Sequence, residues 1–327
     1  MVRLLRRLSS TVAGLLLPLT VSGEVIHEPL WVENLSPLAQ LVAMPSQRSA
    51  DIKEGLSVSV HTDIATHFVS QTSERERVFF DGETQKHSLN LRWGLSPQLE
   101  LSAHLSSIKH DGGFVDAYVN RWHDFFGMSD GGRSTLPEDL ILFQFYGTER
   151  QLLLDRPVSG QSDSALELSY VAERQQAFQI AYAVGYKASI GSSERWLGSG
   201  ADDLYGVARV SGAHRGDLPF YWHGQFGITR VGESALLGVQ QKDWLWITGL
   251  SAEYLLNDHW ALIAQLDSHS ALIKSELDAV GKTAGILSLG LRRQLSRQWA
   301  LDVSFAEDVV VESAPDIMFQ ASLHFRP

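Results

Sequence analysis

The chain of 327 residues contains no cysteine, which excludes a disulfide framework, thiolate metal ligands and a lipid-anchored N-terminus. It also lacks an uninterrupted apolar run of about 20 residues, the length that a transmembrane helix needs. Basic residues are in deficit, because 27 Lys and Arg stand against 38 Asp and Glu, for a formal net charge of −11. A protein of this charge is a poor ligand for phosphate backbones, so the composition argues against nucleic acid as a partner.

The first 23 residues are typical of a secretory signal peptide. Arg3, Arg6 and Arg7 form a positive region, residues 12–19 form a short apolar core, and small or modest side chains occupy 21–23. The signal contains three arginines and no acidic residue, so its removal takes the net charge from −11 to about −14. We therefore expect a protein that is exported to the periplasm.

The rest of the chain alternates apolar and polar side chains with a period of two, which predicts β-strands with two different faces. The last strand shows the pattern to within two residues of the end, with apolar Ile317, Phe319, Ala321, Leu323 and Phe325. In a membrane barrel a basic side chain on the lipid face costs about 2–4 kcal/mol at the bilayer midplane. The polar face is therefore predicted to line the lumen, and its candidate residues are Asp63, His104, Lys187, His223, Glu253 and Asp302.

Connections between the strands alternate between short and long. Residues 256–262 and 295–301 form nearly identical tight turns that each launch a strand beginning with Trp. The long connections are rich in Gly, Ser and charge, and fall at 71–83, 109–138, 191–202, 231–242, 268–282 and 306–315. This asymmetry predicts an all-β fold, a transmembrane antiparallel up-and-down β-barrel with short periplasmic turns and longer extracellular loops. A soluble β-sandwich or lipocalin-like barrel is the alternative.

The strand count leaves two possibilities open. Thirteen alternating segments are recognisable, whereas single-chain bacterial barrels have an even number of strands. Adding residues 151–157 as a strand gives 14, the preferred count, and assigning 139–147 to the preceding loop gives 12. Residues 24–50 show no period and are predicted to form a periplasmic segment or a lumen plug, followed by a barrel over 51–327. In the outer membrane the barrel assembly machinery would recognise the terminal strand, residues 316–325.

One long connection departs from the alternating pattern. Residues 109–138 contain enough aromatic side chains to favour order, and a short amphipathic helix is predicted over 114–126. Asp116, His123 and Asp124 are weak candidates for an imidazole–carboxylate pair that acts as a general base or binds a metal. The sequence offers no HExxH or other supporting motif, so no catalytic residue and no metal site is assigned. The preferred interpretation places His123, Asp116 and Arg133 in structural contacts between the loop and the barrel wall.

Two further short motifs have weak alternative interpretations. Asp81-Gly82-Glu83 could ligate calcium through two carboxylates, but it has too few ligands, and a tight hairpin turn is preferred. The stretch 198–203, which includes Asp202, resembles a phosphate loop but lacks the following Lys and helix. Asp81, Glu83 and Asp202 are therefore retained only as loop or lumen candidates. No cofactor is predicted.

Several motifs together resemble the bacterial family known as domain of unknown function 3187, which is thought to consist of outer-membrane barrels. They are Asn34 with Pro37, Asp81-Gly82-Glu83, Gly112-Gly113 with Asp116, Trp122-His123 with Phe126-Gly127, Arg133, and Gly198-Ser199-Gly200 with Asp202. The resemblance implies a location in the bacterial outer membrane, contact with its lipid and the barrel topology. It implies no established activity.

Three functions from different classes fit these observations. The preferred one is a conduit, open or plugged, for small solutes or lipids, because a barrel of 12–14 strands needs a plug or water inside. The second is an outer-membrane lipid-modifying hydrolase that uses residues 110–133. The third is a structural or adhesive barrel that acts through its outer loops. An enzyme is the less favoured class, because no nucleophile motif accompanies the histidines.

Overall fold

The computed structural model describes residues 25–115, 118, 121, 137–214, 219–234, 236–310 and 313–326. These residues form fifteen β-strands and a few short helical turns. The strands are β1 (Gly55–Thr72), β2 (Arg77–Gly94), β3 (Leu99–Asp111), β4 (Leu142–Tyr146), β5 (Gln151–Leu154), β6 (Val158–Gln161), β7 (Ser164–Arg174), β8 (Phe178–Ala188), β9 (Asp203–Ala213), β10 (Phe220–Arg230), β11 (Trp244–Asn257), β12 (Trp260–His269), β13 (Ala284–Gln294), β14 (Trp299–Asp308) and β15 (Ile317–Phe325). Within the described residues no helix is long and apolar enough to span a membrane.

Twelve of the strands close into an antiparallel barrel. The ring runs from β1 through β2, β3 and β7 to β15, and β15 pairs with β1 to complete it. At the seam, Val58 faces Phe325 and Thr66 faces Ile317, so the hydrogen-bonded ladder runs along the whole terminal strand. The predicted all-β barrel is confirmed. The preferred count of 14 strands is wrong, and the alternative of 12 is correct.

The three short strands outside the ring explain the wrong count. Glu83 on β2 pairs with Asp111, and an uninterrupted β3 would therefore pair Asp81 with Gly113. Asp81 instead pairs with Leu142 on β4, 29 positions later. After β3 the chain leaves the ring and returns as β4, which pairs with β2 on the loop-end side of β3. It then runs back towards the turn end through β5 and β6 to β7. The segments 139–147 and 151–157 thus contain real strands, but they prolong existing wall positions and add no new ones.

Gly82 occupies the point on β2 where the partner strand changes from β3 to β4. Its φ is +145°, and a Cβ there would lie 3.0 Å from the Asp111 carbonyl oxygen and 3.1 Å from the Ile141 side chain. Glycine fits this crowded position because it has no side chain. The predicted hairpin turn at 81–83 is therefore wrong: these residues lie inside β2, and the actual turn between β1 and β2 covers only residues 73–76.

The two ends of the barrel differ in their connections. At one end, called the turn end, the strands are joined by residues 95–98, 175–177, 214–219, 258–259 and 295–298. At the opposite end, called the loop end, the connections include 112–141, 189–202, 231–243 and 270–283. The predicted asymmetry between short turns and longer loops is therefore present, but the predicted long connection 71–83 is wrong, because only residues 73–76 join β1 to β2 at the loop end.

Side chains alternate between the two faces of the wall as the sequence pattern predicts. Val184, Phe226, Leu262 and Val303 are exposed on the outer face, and their neighbours along the strands are buried, among them the polar Gln225, Asp302 and Ser304. Trp93 and Trp299 are exposed at the turn end of β2 and β14. The wall therefore has an apolar outer face, and the charged side chains of the strands gather inside.

Residues 25–54, called the inner segment, run through the interior of this barrel. His27 contacts Glu253 near the turn end, Asn34 bonds to His269 at the loop end, and a single 3-10 turn follows at Ala39–Leu41. The chain then comes back down, and Lys53 lies against Gly94 just before β1 begins at the turn end. Apart from that turn the segment has no regular secondary structure, which is why the sequence shows no period there.

Candidate functional site

The lower part of the lumen, next to the turn end, is filled by a network of charged side chains, called the ionic belt. It consists of five arginines and five carboxylates: Arg48, Arg92, Arg209, Arg292, Arg326, Glu28, Glu100, Glu167, Glu253 and Asp302. All ten side chains are largely buried, and the formal charges of the belt cancel. Burying charges is tolerated only when they are paired and hydrogen-bonded, and each member of the belt has a partner of opposite sign.

Arg292 on β13 is the largest fully buried side chain of the belt. Its guanidinium donates two hydrogen bonds of 2.7 Å to Asp302 and one of 3.2 Å to Glu253. It also donates to the carbonyl oxygens of Ile26 and Glu28 in the inner segment, at 3.3 and 2.9 Å. One arginine therefore joins two wall strands to the rising limb of the inner segment.

Glu28 ties the two limbs of the inner segment to each other and to the wall. Its carboxylate accepts hydrogen bonds from Arg92 at 2.7 Å, from the backbone N–H of Ser49 at 2.9 Å, and from Arg326. Arg326 directly follows the last strand, β15, so the end of this strand is joined to one of the first described residues. The guanidinium of Arg92 also donates to both oxygens of Glu100.

Arg48 anchors the descending limb. It donates at 2.9 Å to Ser102 and Glu167 and also bonds to Glu100. Glu167 is held a second time, because Arg209 binds its two oxygens at 2.7 and 2.8 Å in a bidentate pair. Bidentate arginine–carboxylate pairs fix geometry as well as charge. The descending limb is therefore fastened to β3 and β7 by oriented contacts.

Aromatic and polar side chains of the rising limb occupy the middle of the lumen. Trp31 stacks against His61 and His104, with ring centroids 4.5 and 5.3 Å apart. Glu33 forms an ion pair of 2.6 Å with Lys86 on β2. The rising limb thus contacts β1, β2 and β3.

In the upper lumen, towards the loop end, Lys187 and its acidic partners hold the backbone of the inner segment. Its ammonium group lies 2.8 Å from Asp163 and 3.1 Å from Asp203, and it donates to the carbonyl oxygen of Leu41. Asp203 also accepts the backbone N–H of Ala43 at 2.8 Å. These bonds satisfy backbone groups where the inner segment reverses direction.

An apolar cluster, called the apolar cap, closes the loop end. The inner segment contributes Leu38, Ala39, Leu41 and Val42. The β4–β5 hairpin contributes Phe143, Phe145, Leu152 and Leu154, and further members include Val78, Phe80, Trp196, Leu237, Leu245, Ile273 and Val280. Leu38, Leu41 and Phe143 are completely buried. The reversal of the inner segment is therefore packed in an apolar environment beneath the loops.

A cavity of about 130 Å³ remains between the limbs of the inner segment and the wall. Trp31, Glu33 and Arg48 line it from the segment, and Asn90 and His104 are among the residues that line it from the strands. It extends up to Lys187 on β8 and down to Glu28 in the ionic belt. The inner segment therefore leaves a space lined by charged and polar side chains beside β1, β2, β3 and β7.

The six predicted lumen residues are distributed along this interior. Glu253 and Asp302 meet at Arg292, and Lys187 holds the upper lumen, as described above. His104 donates at 2.7 Å to Asn90, and His223 lies 2.8 Å from the hydroxyl of Ser211. Asp63 is buried beside the inner segment, and neither carboxylate oxygen has a hydrogen-bond partner among the described residues.

The loop candidates behave differently from one another. Asp116, His123, Asp124 and Arg133 lie outside the described residues, as does most of the predicted helix over 114–126. Glu83 is buried on β2 and accepts the backbone N–H groups of Phe114, at 2.8 Å, and Val115. In the described part of the chain no group of three or more His, Asp or Glu side chains is arranged to hold a metal ion.

Asp202 lies in the connection between β8 and β9. It accepts hydrogen bonds from the Tyr186 hydroxyl and, at 2.8 Å, from the backbone N–H of Ser189. These two bonds favour the ionised form and lower the pKa of its carboxyl below the usual value. Asp202 therefore fixes a loop conformation on the exposed side of the barrel.

The sequence interpretation overlooked the residues that hold the inner segment in place. Glu28, Glu33 and Arg48 lie in a stretch without periodicity, so no pattern assigned them a face. Arg92 and Arg292 lie at inward positions of β2 and β13, two strands for which the sequence interpretation named no lumen-facing residue. A complete count of inward charges near the turn end would have shown arginines and carboxylates in equal numbers on the wall, a set able to pair.

The chain belongs to the family described as Protein of unknown function (DUF3187), which matches residues 6–326. No curated protein matches it in sequence. Among solved structures it is similar to the COG4313 outer membrane channel from Pseudomonas putida F1, at 13% identity and a TM-score of 0.54, covering 87% of this chain and 97% of that one. The NanC porin is also similar, at 9% identity and a TM-score of 0.46, covering 84% of this chain and 100% of that one. The first similarity agrees with the closed β-barrel fold.

Proposed function

We propose that this protein is a gated conduit for small solutes in the bacterial outer membrane, and that the inner segment is its gate. The observation that carries the proposal is the inner segment itself, which fills a polar lumen inside an apolar outer wall. An apolar outer face with exposed tryptophans at both ends, Trp93 and Trp299 at the turn end and Trp244 at the loop end, suits a lipid environment and its interface. The similarity of the fold to an outer-membrane channel supports the same class.

The proposal includes a route to the membrane. Residues 1–23 act as an export signal, the barrel contacts outer-membrane lipid, and the assembly machinery recognises residues 316–325. The turn end faces the periplasm and the loop end faces outward, in the usual orientation of such barrels. The inner segment therefore begins at the periplasmic mouth, rises to the outer loops and returns.

A filled lumen conducts only if the inner segment moves. Its held state rests on side-chain contacts and single backbone bonds, with no ladder pairing to the wall among the described residues. A rearrangement therefore breaks discrete contacts and leaves the barrel ladders intact. Lids and gates of this kind are drawn from regions of low local stability.

A disulfide tether tests the gate directly. The hydroxyl oxygens of Ser49, on the descending limb, and Ser211, on β9, lie 3.4 Å apart. The natural chain has no cysteine, so a Ser49→Cys/Ser211→Cys variant contains one possible disulfide. An S–S bond of about 2.05 Å is within reach of small side-chain rotations at these positions.

In planar bilayers the oxidised double variant should lose most of its channel openings, and a reducing agent should restore them. The two single-cysteine variants are the matched controls, and they should respond to neither treatment. Equal current through the oxidised and reduced double variant would show that conduction does not need the inner segment to move. No current under any condition, including after deletion of residues 25–50, would overturn the conduit itself.

The hydrolase remains a second prediction with its own test. Its candidates, Asp116, His123 and Asp124, lie outside the described residues, so no geometry supports it. It requires release of fatty acid from labelled phospholipid or lipid A by the purified protein. Loss of that release in His123→Ala, with the barrel intact, would favour this function over the conduit.

A further inference from the structure

We propose that the cavity between the inner segment and the β1–β3 wall is a binding chamber for an uncharged, hydroxyl-rich solute of about eight heavy atoms. The proposal rests on the conduit function, since it names the class of solute that the conduit recognises. It starts from three properties of the cavity, which are its charge, its hydrogen-bonding groups and its size.

The charges that line the cavity cancel. Four acidic and four basic side chains line it, so with neutral imidazoles the formal charge of the wall is zero. Glu33 is paired with Lys86, and Asp163 is paired with Lys187. The other two pairs belong to the ionic belt. A charged solute would need a counter-charge in this low-dielectric interior, and each candidate is already engaged, so a neutral solute is favoured.

The lining has unused hydrogen-bonding capacity of both kinds. Arg48 Nε and Asn90 Nδ2 are buried donors without a partner among the described residues. Gln40 Oε1 and Gln47 Oε1 are buried acceptors in the same condition. An unmade hydrogen bond of a buried group costs about 1–3 kcal/mol, so a solute that meets these groups after small rotations of the lining side chains is bound favourably. A hydroxyl both donates and accepts, and it therefore suits a wall with both needs.

The size and the aromatic side chain narrow the class further. A dry cavity of roughly 150 Å³ holds benzene, so a space of about 130 Å³ suits a molecule of six to eight heavy atoms with small adjustments of the wall. Trp31 lines the cavity and offers an apolar surface to the C–H groups of such a molecule. A short polyol combines these features.

Binding in the chamber is coupled to the gate, because both limbs of the inner segment line the cavity. A solute that bonds to Arg48 Nε or Gln47 Oε1 contacts the same side chains that hold the descending limb to the wall, since Gln47 Nε2 donates to Asp267 at 2.7 Å. Bound solute therefore biases the segment between its seated and displaced positions only as far as it binds one of them more tightly.

Saturation-transfer NMR on the purified full chain in detergent tests the chamber without requiring current. Erythritol is the neutral probe, and succinate and 1,4-diaminobutane are four-carbon probes of opposite charge. We expect saturable binding of erythritol and at least tenfold weaker binding of both charged probes. Equal or tighter binding of either charged probe, or no saturable binding of erythritol, would overturn the proposal.

Variants locate the binding. Asn90→Leu keeps a similar volume but removes the unpartnered Nδ2 donor together with the Oδ1 atom that accepts from His104, and it should weaken erythritol binding by about tenfold. Gln320→Leu is the matched control, because Gln320 is a buried lumen amide that does not line the cavity. An unchanged heat-shifted band on a gel shows that each variant retains its barrel. Equal losses in both variants would contradict binding at the chamber.

The two proposals fail separately. Saturable erythritol binding by a protein that passes no ions would overturn the conduit and leave the chamber. Channel openings without erythritol binding would overturn the chamber and leave the conduit.

Discussion

The inner segment is held by different interactions at the two ends of the barrel. In the ionic belt, near the turn end, oriented bonds such as those of Arg292 and Arg209 join paired charges. In the apolar cap, at the loop end, Leu38 and Leu41 pack among aromatic and aliphatic side chains without direction. The belt thus specifies one position for the segment, whereas the cap mainly excludes water.

This difference suggests the direction in which the segment is released. Displacing Leu38 and Leu41 outward would expose apolar surface to water, at about 25 cal/mol for each Å². The charged groups of the belt lie next to the mouth at the turn end, where entering water can solvate them as their pairs separate. The start of the inner segment also lies at that mouth. We therefore expect the segment to withdraw towards the turn end.

The largest effect is expected from removing the centre of the belt. Arg292→Leu leaves Glu253 and Asp302 buried without their cation, and breaking a buried pair in this way costs about 3–5 kcal/mol. Urea unfolding in detergent should show this loss of stability. Arg230→Met is the control, because its pair with Asp243 is exposed and should contribute less than about 1 kcal/mol. Similar losses in both variants would show that burial does not distinguish the belt.

The belt also shows how far the sequence can predict the lumen. The period of two assigns Asp302 and Glu253 to the interior, and it does the same for Arg292 once its strand is phased. It cannot say that these three side chains meet, because the register between β11, β13 and β14 depends on turns and barrel closure. The inner segment is less accessible still, since an extended chain surrounded by wall has no single buried face.

The strand count failed for a related reason. Residues 142–146 and 151–154 alternate like any other strand. The local pattern does not show which position in the ring a strand occupies. Only the pairings of Asp81 and Glu83 with partners 31 residues apart reveal an insertion inside one wall position. Patterns of side chains predict that strands exist, whereas strand number and neighbours depend on long-range pairing.

An intermediate effect is expected in the apolar cap. Leu38→Ala removes a completely buried side chain, and such substitutions cost about 2–5 kcal/mol through lost burial and the cavity left behind. Because Leu38 packs the reversal of the segment, we expect more frequent channel openings as well as lower stability. Val239→Ala is the control, since Val239 is 62% exposed near the same cluster. A destabilised protein with unchanged opening frequency would separate the cap from the gate.

The smallest effect is expected at Glu28, because this carboxylate keeps other partners when one of its contacts is removed. Arg326→Gln removes one contact of Glu28, but Arg92 and the backbone N–H of Ser49 still bind that carboxylate. The remaining charge pair keeps Glu28 compensated, so the loss should be about 1 kcal/mol, compared with 3–5 kcal/mol for Arg292→Leu. Urea unfolding measures the difference, and opening frequency should rise only slightly. A loss as large as that of Arg292→Leu would contradict this expectation. It would show that Arg326 contributes as much as Arg292 to holding the inner segment in the belt.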